Sequence, residues 1–493
     1  MKRQGTALAG IIFLLFYSNL QAGNYSDVYG AHARANGMGN AVSSFVDDSS
    51  AVNYNVAGLG RVSRGELLKA IIETKTASPN PEPAPEGASE PSPETGATPV
   101  ETDAGIVENF KSDFKNFHKG AFTFVPSLRP TKPLHELHFM ANYAKPRMTT
   151  SAPYNQDLAK TADDYASISL AINLNSIYNI KRNIRFGLSI QAPLSGNLMV
   201  INDLNPTVHR YLQYGMTNQK PTIMGGLGIE LWKDRLFAGV GFNALAKGSG
   251  AMLLKDVPIS PDTVTPDQQA VIEIKPLVTP TYGLQFSYGK LNLGVAYRRE
   301  VAMAVDRLSA RAQTTILSIQ LDMDVALLQF FSPRMWTYGI AYKASDRLLL
   351  SFDLNRELWS GYRLSRAKST YSETLYLNDT TNYRAGVEYG LLKSLKLRMG
   401  YTKRPTPVPD SPGRNNWMDF DRLIATGGLS YFLFPSESGI LSNLVNPVVF
   451  DLVVEYQKMH GRHVYKYEAT DKNPNYSSGG NAWHFGASVS MFY

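Results

Sequence analysis

Strict alternation at the end of the chain constrains the fold more than any other feature. Trp483, Phe485, Ala487, Val489, Met491 and Tyr493 alternate with His484, Gly486, Ser488, Ser490 and Phe492. A period of two with one apolar face describes a strand lying between two different media. Such a strand ending on an aromatic residue is the usual last strand of a bacterial outer-membrane barrel. The apolar face is then expected to meet lipid, and the polar face a lumen.

The rest of the chain is compatible with that reading. Its 493 residues suffice for two or three soluble domains or for one large barrel. The 27 Tyr suit interfacial girdles, where one end of the ring is apolar and the other wet. No stretch after the N-terminus reaches 18 apolar residues, so no transmembrane helix is expected. Met1, Lys2 and Arg3 precede an apolar run from Ala7 to Phe16, with Ala22 as a cleavage residue. Residues 1–22 therefore read as a secretory signal peptide. Cysteine is absent, which excludes disulfides, thiolate metal sites and a lipidated Cys anchor. The net charge of +7 fits a solvated lumen and loops, and would attract anionic lipopolysaccharide or anionic ligands. No basic cluster is interleaved with aromatics, so nucleic acid is not an expected partner.

Periodicity divides the chain. Residues 23–61 are rich in small residues and do not read as strand. Residues 78–108 hold seven Pro, seven acidic residues and no Lys or Arg, the composition of an extended solvated linker. Val107, Phe110, Phe114 and Phe117, with Lys111, Lys115 and Lys119 between them, predict a short amphipathic helix. The linker and helix together occupy 62–133. From 134 onward fourteen strands are expected: 134–146, 165–175, 184–195, 221–232, 236–250, 273–287, 291–306, 334–343, 347–364, 381–390, 395–404, 420–433, 447–460 and 482–493. Connections after odd strands are long and those after even strands mostly tight, as Lys233-Asp234 and Ala344-Ser345-Asp346 show. Short periplasmic turns and long outer loops require an even strand number with both ends on the periplasmic side. The expected fold class is all-β, a 14-stranded antiparallel transmembrane β-barrel over 134–493. Segments 64–76 and 119–128 compete for the first strand.

Faces follow from the alternation. Phe450, Leu452 and Val454 are assigned to lipid, with Asp451, Glu455 and Gln457 inside. Leu397, Met399 and Tyr401 likewise face out, with Lys396, Arg398 and Thr402 inside. Asp353, Glu357, Arg384, Glu388, Lys396 and Arg398 then share one lumen wall. They form either a bracing ion network or a charged solute path. An outward charge at mid-bilayer would cost roughly 2–4 kcal/mol.

Several segments together resemble the FadL family of outer-membrane long-chain fatty-acid transporters. These are SPRMWTYGIAYKASDRLLLSFDLNRELWSGY at 332–362, DTTNYRAGVEYGLLKSLKLRMGYTKRPTPVP at 379–409 and YGLQFSYGKLNLGVAYRREV at 282–301. At the N-terminus, ANGMGNA at 35–41, Asp47 to Ala51 and Asn55-Val56-Ala57-Gly58 resemble the family's hatch, a plug inside the barrel. The family usually carries Asn-Pro-Ala where this chain has Asn55-Val56-Ala57. Losing proline frees φ and restores a backbone N–H, so a more pliable plug is expected there.

The resemblance implies passive uptake of long-chain fatty acids or other hydrophobic compounds. It further implies a monomer that needs no cofactor, is inserted by the barrel-assembly machinery and is surrounded by lipid and lipopolysaccharide. It implies an apolar groove between the outer loops 251–272 and 307–333, where Met252, Leu253, Leu254, Leu327, Phe330 and Phe331 are the candidates. It also implies a kink in the third strand, for which Pro193 is the candidate because it cannot donate to the ladder. Arg298 is the first candidate partner for a substrate carboxylate, with Arg384 and Arg398 behind it. His135-Glu136-Leu137-His138 lacks zinc spacing, and neither Gly37-Met38-Gly39 nor Gly239-Val240-Gly241 opens a strand–turn–helix unit. No motif singles out a nucleophile, so catalysis is not expected. A surface adhesion protein and a nonspecific porin are the alternatives.

Overall fold

The computed structural model describes residues 25–61 and 135–492, apart from parts of the connections. The signal peptide, linker, amphipathic helix and competing first-strand segments of the sequence reading lie outside the described residues. So does Tyr493.

Fourteen strands close one antiparallel barrel. They are β1 (Glu136–Thr150), β2 (Asp163–Asn173), β3 (Ile184–Pro193), β4 (Thr222–Trp232), β5 (Leu236–Leu245), β6 (Leu277–Tyr288) and β7 (Leu291–Arg298). The second half comprises β8 (Arg334–Lys343), β9 (Leu348–Leu358), β10 (Thr380–Leu392), β11 (Leu395–Arg404), β12 (Arg422–Leu433), β13 (Val448–Val464) and β14 (Tyr476–Phe492). Each pairs with its neighbours in sequence order. β1 closes the ring on β14, from Glu136 opposite Phe492 to Thr150 opposite Ser478. Closure matters because a lipid-exposed strand edge would leave backbone donors and acceptors without partners.

All fourteen expected strands are present, with shifted ends. β13 and β14 run past the expected 460 and begin before the expected 482, because a bulge between Met459 and Arg462 keeps the ladder going. β9 stops at Leu358, where a 3₁₀ turn, Trp359–Gly361, bends the chain inward. β5 and β7 end earlier than expected. The residues beyond them pair with each other in two separate hairpins: Gly248–Leu254 with Gln268–Ile274, and Val301–Gln313 with Gln320–Ser332.

The assigned faces agree with burial. Leu452 and Met399 are 57% and 71% exposed, whereas Asp451, Arg398 and Glu455 are buried. The inward residues do not line open water. They pack on the N-terminal segment, built from α1 (Tyr25–Tyr29), α2 (Ala33–Gly37), α3 (Ala51–Tyr54) and the 3₁₀ turn Val56–Gly60. These elements are too short to be stable alone. The His32 ring accepts the Arg34 N–H at the start of α2, and Asn55 Oδ1 accepts the Ala57 N–H at the 3₁₀ turn. The wall supplies the remaining stability.

Inward glycines let the segment approach. A Cβ on Gly400 would sit 2.0 Å from the Gly39 nitrogen, and one on Gly239 would sit 2.5 Å from the Val56 carbonyl. Both clashes are with backbone, which cannot rotate away. Gly239→Ala is therefore expected to displace the 3₁₀ turn while the barrel stays closed. The check is ion conductance in planar bilayers: a rise is expected, with heat-resistant gel mobility retained, and unchanged conductance would contradict it.

Candidate functional site: the blocked lumen

Among the described residues the barrel encloses a lumen, and the contents of that lumen decide what it can do chemically. Three tiers of polar contacts hold the N-terminal segment to the wall. Periplasmic turns follow the even strands, so positions late in odd strands and early in even strands are outermost.

The outermost tier is built on Asp27 of α1. Its two carboxylate oxygens each accept from Arg298 of β7 at 2.8 Å, a two-point geometry that fixes orientation as well as charge. Ser332, just before β8, donates to the same carboxylate at 3.3 Å. Arg404 of β11 donates to the Asp27 carbonyl and lies 3.2 Å from Glu357 of β9. Glu357 also accepts from Trp359 Nε1 and Asn382 Nδ2, at 2.8 and 2.7 Å. Burial raises the Asp27 pKa, but Arg298, with Arg404 and Arg384 behind it, outweighs burial and leaves that pKa below the ordinary carboxylate value.

Directly beside this lock lies an apolar cluster of Trp359, Tyr362, Leu377 and Val408, with Leu212 and Phe331 packed against it. The Phe331 ring is 5.9 Å from Trp359 and 5.3 Å from Tyr362. Phe331 and Ser332 are consecutive, so one segment joins the greasy patch to the charged lock.

The second tier is an ion network near the periplasmic end, with Glu388 late in β10 and Arg398 and Asp451 early in β11 and β13. Arg34 of α2 reaches Asp47 at 2.8 Å, Asp48 at 3.0 Å and Glu388 of β10 at 3.6 Å. Glu388 is shared with Arg398 of β11 at 2.7 Å and Lys396 at 3.4 Å, and Arg398 continues to Asp451 of β13 at 2.8 Å. Of the two sequence readings, the bracing network describes these contacts. The third tier relies on backbone. Asp353 accepts the Ser43 N–H at 2.9 Å, and Glu136 accepts both the N–H and the hydroxyl of Ser49 at 2.8 Å. Asn55 donates to the carbonyls of Ser43 and Leu284, at 2.8 and 3.1 Å.

The expected hatch residues Asn55, Val56, Ala57 and Gly58 are all buried in this third tier. Where a proline would have fixed φ, Val56 is instead wedged against Gly226 and Gly239. Arg298 is not a vacant carboxylate receptor: Asp27, which sequence reasoning missed, occupies it. Arg398 is likewise engaged by two carboxylates, whereas among the described residues Arg384 makes one long hydrogen bond, 3.5 Å to the Asn40 carbonyl. Pro193 is the last residue of β3. It pairs with Tyr165 of β2, whereas pairing with β4 stops at Gln191 opposite Thr222, two residues before the proline. Met252, Leu253 and Leu254 stand on one outer hairpin, and Leu327, Phe330 and Phe331 on the other. The hairpins approach each other through 268–274 and 301–313, each one strand away from those candidates. Among the described side chains, Phe331 is the candidate that joins the apolar cluster. No sequence signal marked Asp27, because its partner lies 271 residues away.

Two outcomes follow. Arg398→Ala leaves Glu388 and Asp451 short of their shared cation, so a loss on the order of 3–5 kcal/mol is expected in chemical unfolding from lipid vesicles. The lowered Asp27 pKa contributes docking strength that is complete above the ordinary carboxylate value and lost as pH falls through the depressed one. Amide exchange over 25–29 should therefore stay slow at pH 5 and accelerate only well below pH 4, the ordinary aspartate range.

Residues 283–487 match the family model described as outer membrane protein transport protein (OMPP1/FadL/TodX). A comparison with curated protein sequences gives no match. Among solved structures, a Pseudomonas aeruginosa FadL homologue is similar at 13% identity and a TM-score of 0.52, over 97% of this chain and 99% of that one. The P. putida toluene transporter TodX is similar at 12% identity and a TM-score of 0.48, over 95% and 99%. The Ralstonia pickettii toluene transporter TbuX is similar at 13% and 0.44, over 95% and 100%. The first of these agrees with the barrel fold. Over residues 283–487, the second half of the barrel, the chain is therefore similar to the outer membrane protein transport family (OMPP1/FadL/TodX).

Proposed function

We propose that this barrel carries hydrophobic compounds passively across the outer membrane, with long-chain fatty acids as its substrates. One observation carries the reading: a two-point arginine–carboxylate lock, Arg298 with Asp27, sits against the apolar cluster of Phe331, Trp359 and Tyr362. That pairing of surfaces is what an amphiphilic carboxylate needs. Its tail gains from dry apolar contact, since each methylene is worth about 0.8 kcal/mol out of water. Its head can take the place Asp27 holds on Arg298, which would free α1 from the wall. A water-filled pore would be the wrong device for such a solute, and the occupied lumen speaks against the porin alternative.

The site residues keep their roles in this proposal with one adjustment. Met252, Leu253, Leu254, Leu327, Phe330 and Phe331 form the outer apolar receptor. Arg298 receives the carboxylate after Asp27 leaves, and Arg384 is the next cation inward. Residues 55–58 are the inner seat of the hatch.

Deleting the gene is expected to abolish uptake of radiolabelled palmitate by cells supplied with it at low concentration. Unchanged uptake would remove the proposal. Asp27→Ala, which deletes the internal competitor, should lower the half-saturating palmitate concentration several-fold, whereas Arg298→Ala should raise it. Toluene entry, measured in the same cells, should be indifferent to Arg298. If toluene uptake depends on the barrel and palmitate uptake does not, the substrate is the neutral hydrocarbon.

A further inference from the structure

We propose that the lipid-facing wall across β11, β12, β13, β14 and β1 is a binding site for a phosphorylated glycolipid of the outer leaflet, of the lipid A class. Lys403, Lys458, Lys145 and Arg147 are all exposed, and all share the parity of the lipid-facing residues on their strands. All four stand in the outer halves of those strands. The ladders place Lys403, Leu423, Lys458, Asn481 and Arg147 in one row across five strands. Cations therefore recur at every second strand, about 10 Å apart across the sheet. Lys145 stands at the end of the adjacent row, opposite Trp483.

These cations differ from the others on the outer rim. Arg334 is 2.7 Å from Glu300, and Arg356 is 3.7 Å from Asp379. Lys403, Lys458, Lys145 and Arg147 have no carboxylate partner among the described residues. Four such cations on one sector at the headgroup level favour an anion.

The wall below supplies the other half of the ligand's chemistry. The next row inward carries Tyr401, Tyr456 and Trp483, with the last two rings 4.8 Å apart. Such aromatics mark the interface between headgroup and hydrocarbon. Beneath them is a recess of 640 Å³ with a floor of Gly427, Ala141 and Ala487, flanked by Tyr143, Leu452 and Phe485. The small residues leave room on the lipid side for acyl chain. Phosphate above, aromatic belt and apolar trough below follow the order of groups along a phosphorylated lipid. A second copy of this chain would bring like charges together.

The test is native mass spectrometry of the full barrel in detergent. It is titrated with diphosphoryl lipid A, with the same lipid dephosphorylated, and with phosphatidylglycerol. The wild type should prefer diphosphoryl lipid A over the dephosphorylated form by on the order of tenfold. Lys403→Ala, Lys458→Ala, Lys145→Ala and Arg147→Ala together should abolish that preference, while Arg334→Ala with Arg356→Ala should keep it. If the fourfold variant does not assemble, Lys458→Gln with Arg147→Gln should still reduce it. Equal affinity for phosphorylated and dephosphorylated lipid, equal binding of phosphatidylglycerol, or a preference retained by the variant would overturn the proposal.

Discussion

In hydrocarbon a backbone amide has no water to turn to, and this structure depends on that constraint. The ladder between β1 and β14 removes the two edges that an open sheet would expose. With the ring closed, each residue has two possible destinations, and alternation decides between them. A one-residue slip in any strand would send carboxylates such as Asp451 and Glu455 into lipid and Leu452 and Val454 into the lumen. Register is thus enforced at each of the fourteen ladders by solvation alone.

Closure creates a second problem, which the N-terminal segment answers. A wall that turns Asp353, Glu357, Glu388, Arg398 and Asp451 inward must find partners for them. The segment provides backbone donors at Ser43 and Ser49 and an arginine at Arg34, while the wall pairs part of its charge within itself. The dependence is mutual: helices of four or five residues are held by the polar wall, and the wall is satisfied by the helices. Removing either would strand buried charge. That is a reason for the plug to move only when something replaces its contacts.

The tiers are not equivalent. The contacts at Ser43, Ser49 and Asn55 rest on backbone hydrogen bonds and on glycine-sized gaps, which no soluble ligand can imitate. The outermost rests on one carboxylate held by one guanidinium beside aromatic rings, which a fatty acid can imitate. The contact a carboxylate can exchange with is therefore at the outer end, and those below it are an ion network and backbone hydrogen bonds.

The fold was legible in the sequence because the alternation is a local signal: two media select two faces, and turn residues mark where each strand stops. The existence of fourteen strands and the burial of Asp451, Arg398 and Glu388 follow from that. Strand ends at 245, 298 and 358 did not, because they depend on whether a neighbour continues the ladder. The position of Pro193 was legible, but its effect depended on where β4 stopped pairing. Arg298 was identified as an inward cation; that Asp27 holds it was invisible, since a short acidic helix carries no periodic signature. Sequence by itself determined which residues can face oil, because solvation acts on each residue separately. Only tertiary structure decided which charges meet, because such pairs join positions hundreds of residues apart and form only when the cylinder closes around its own N-terminus.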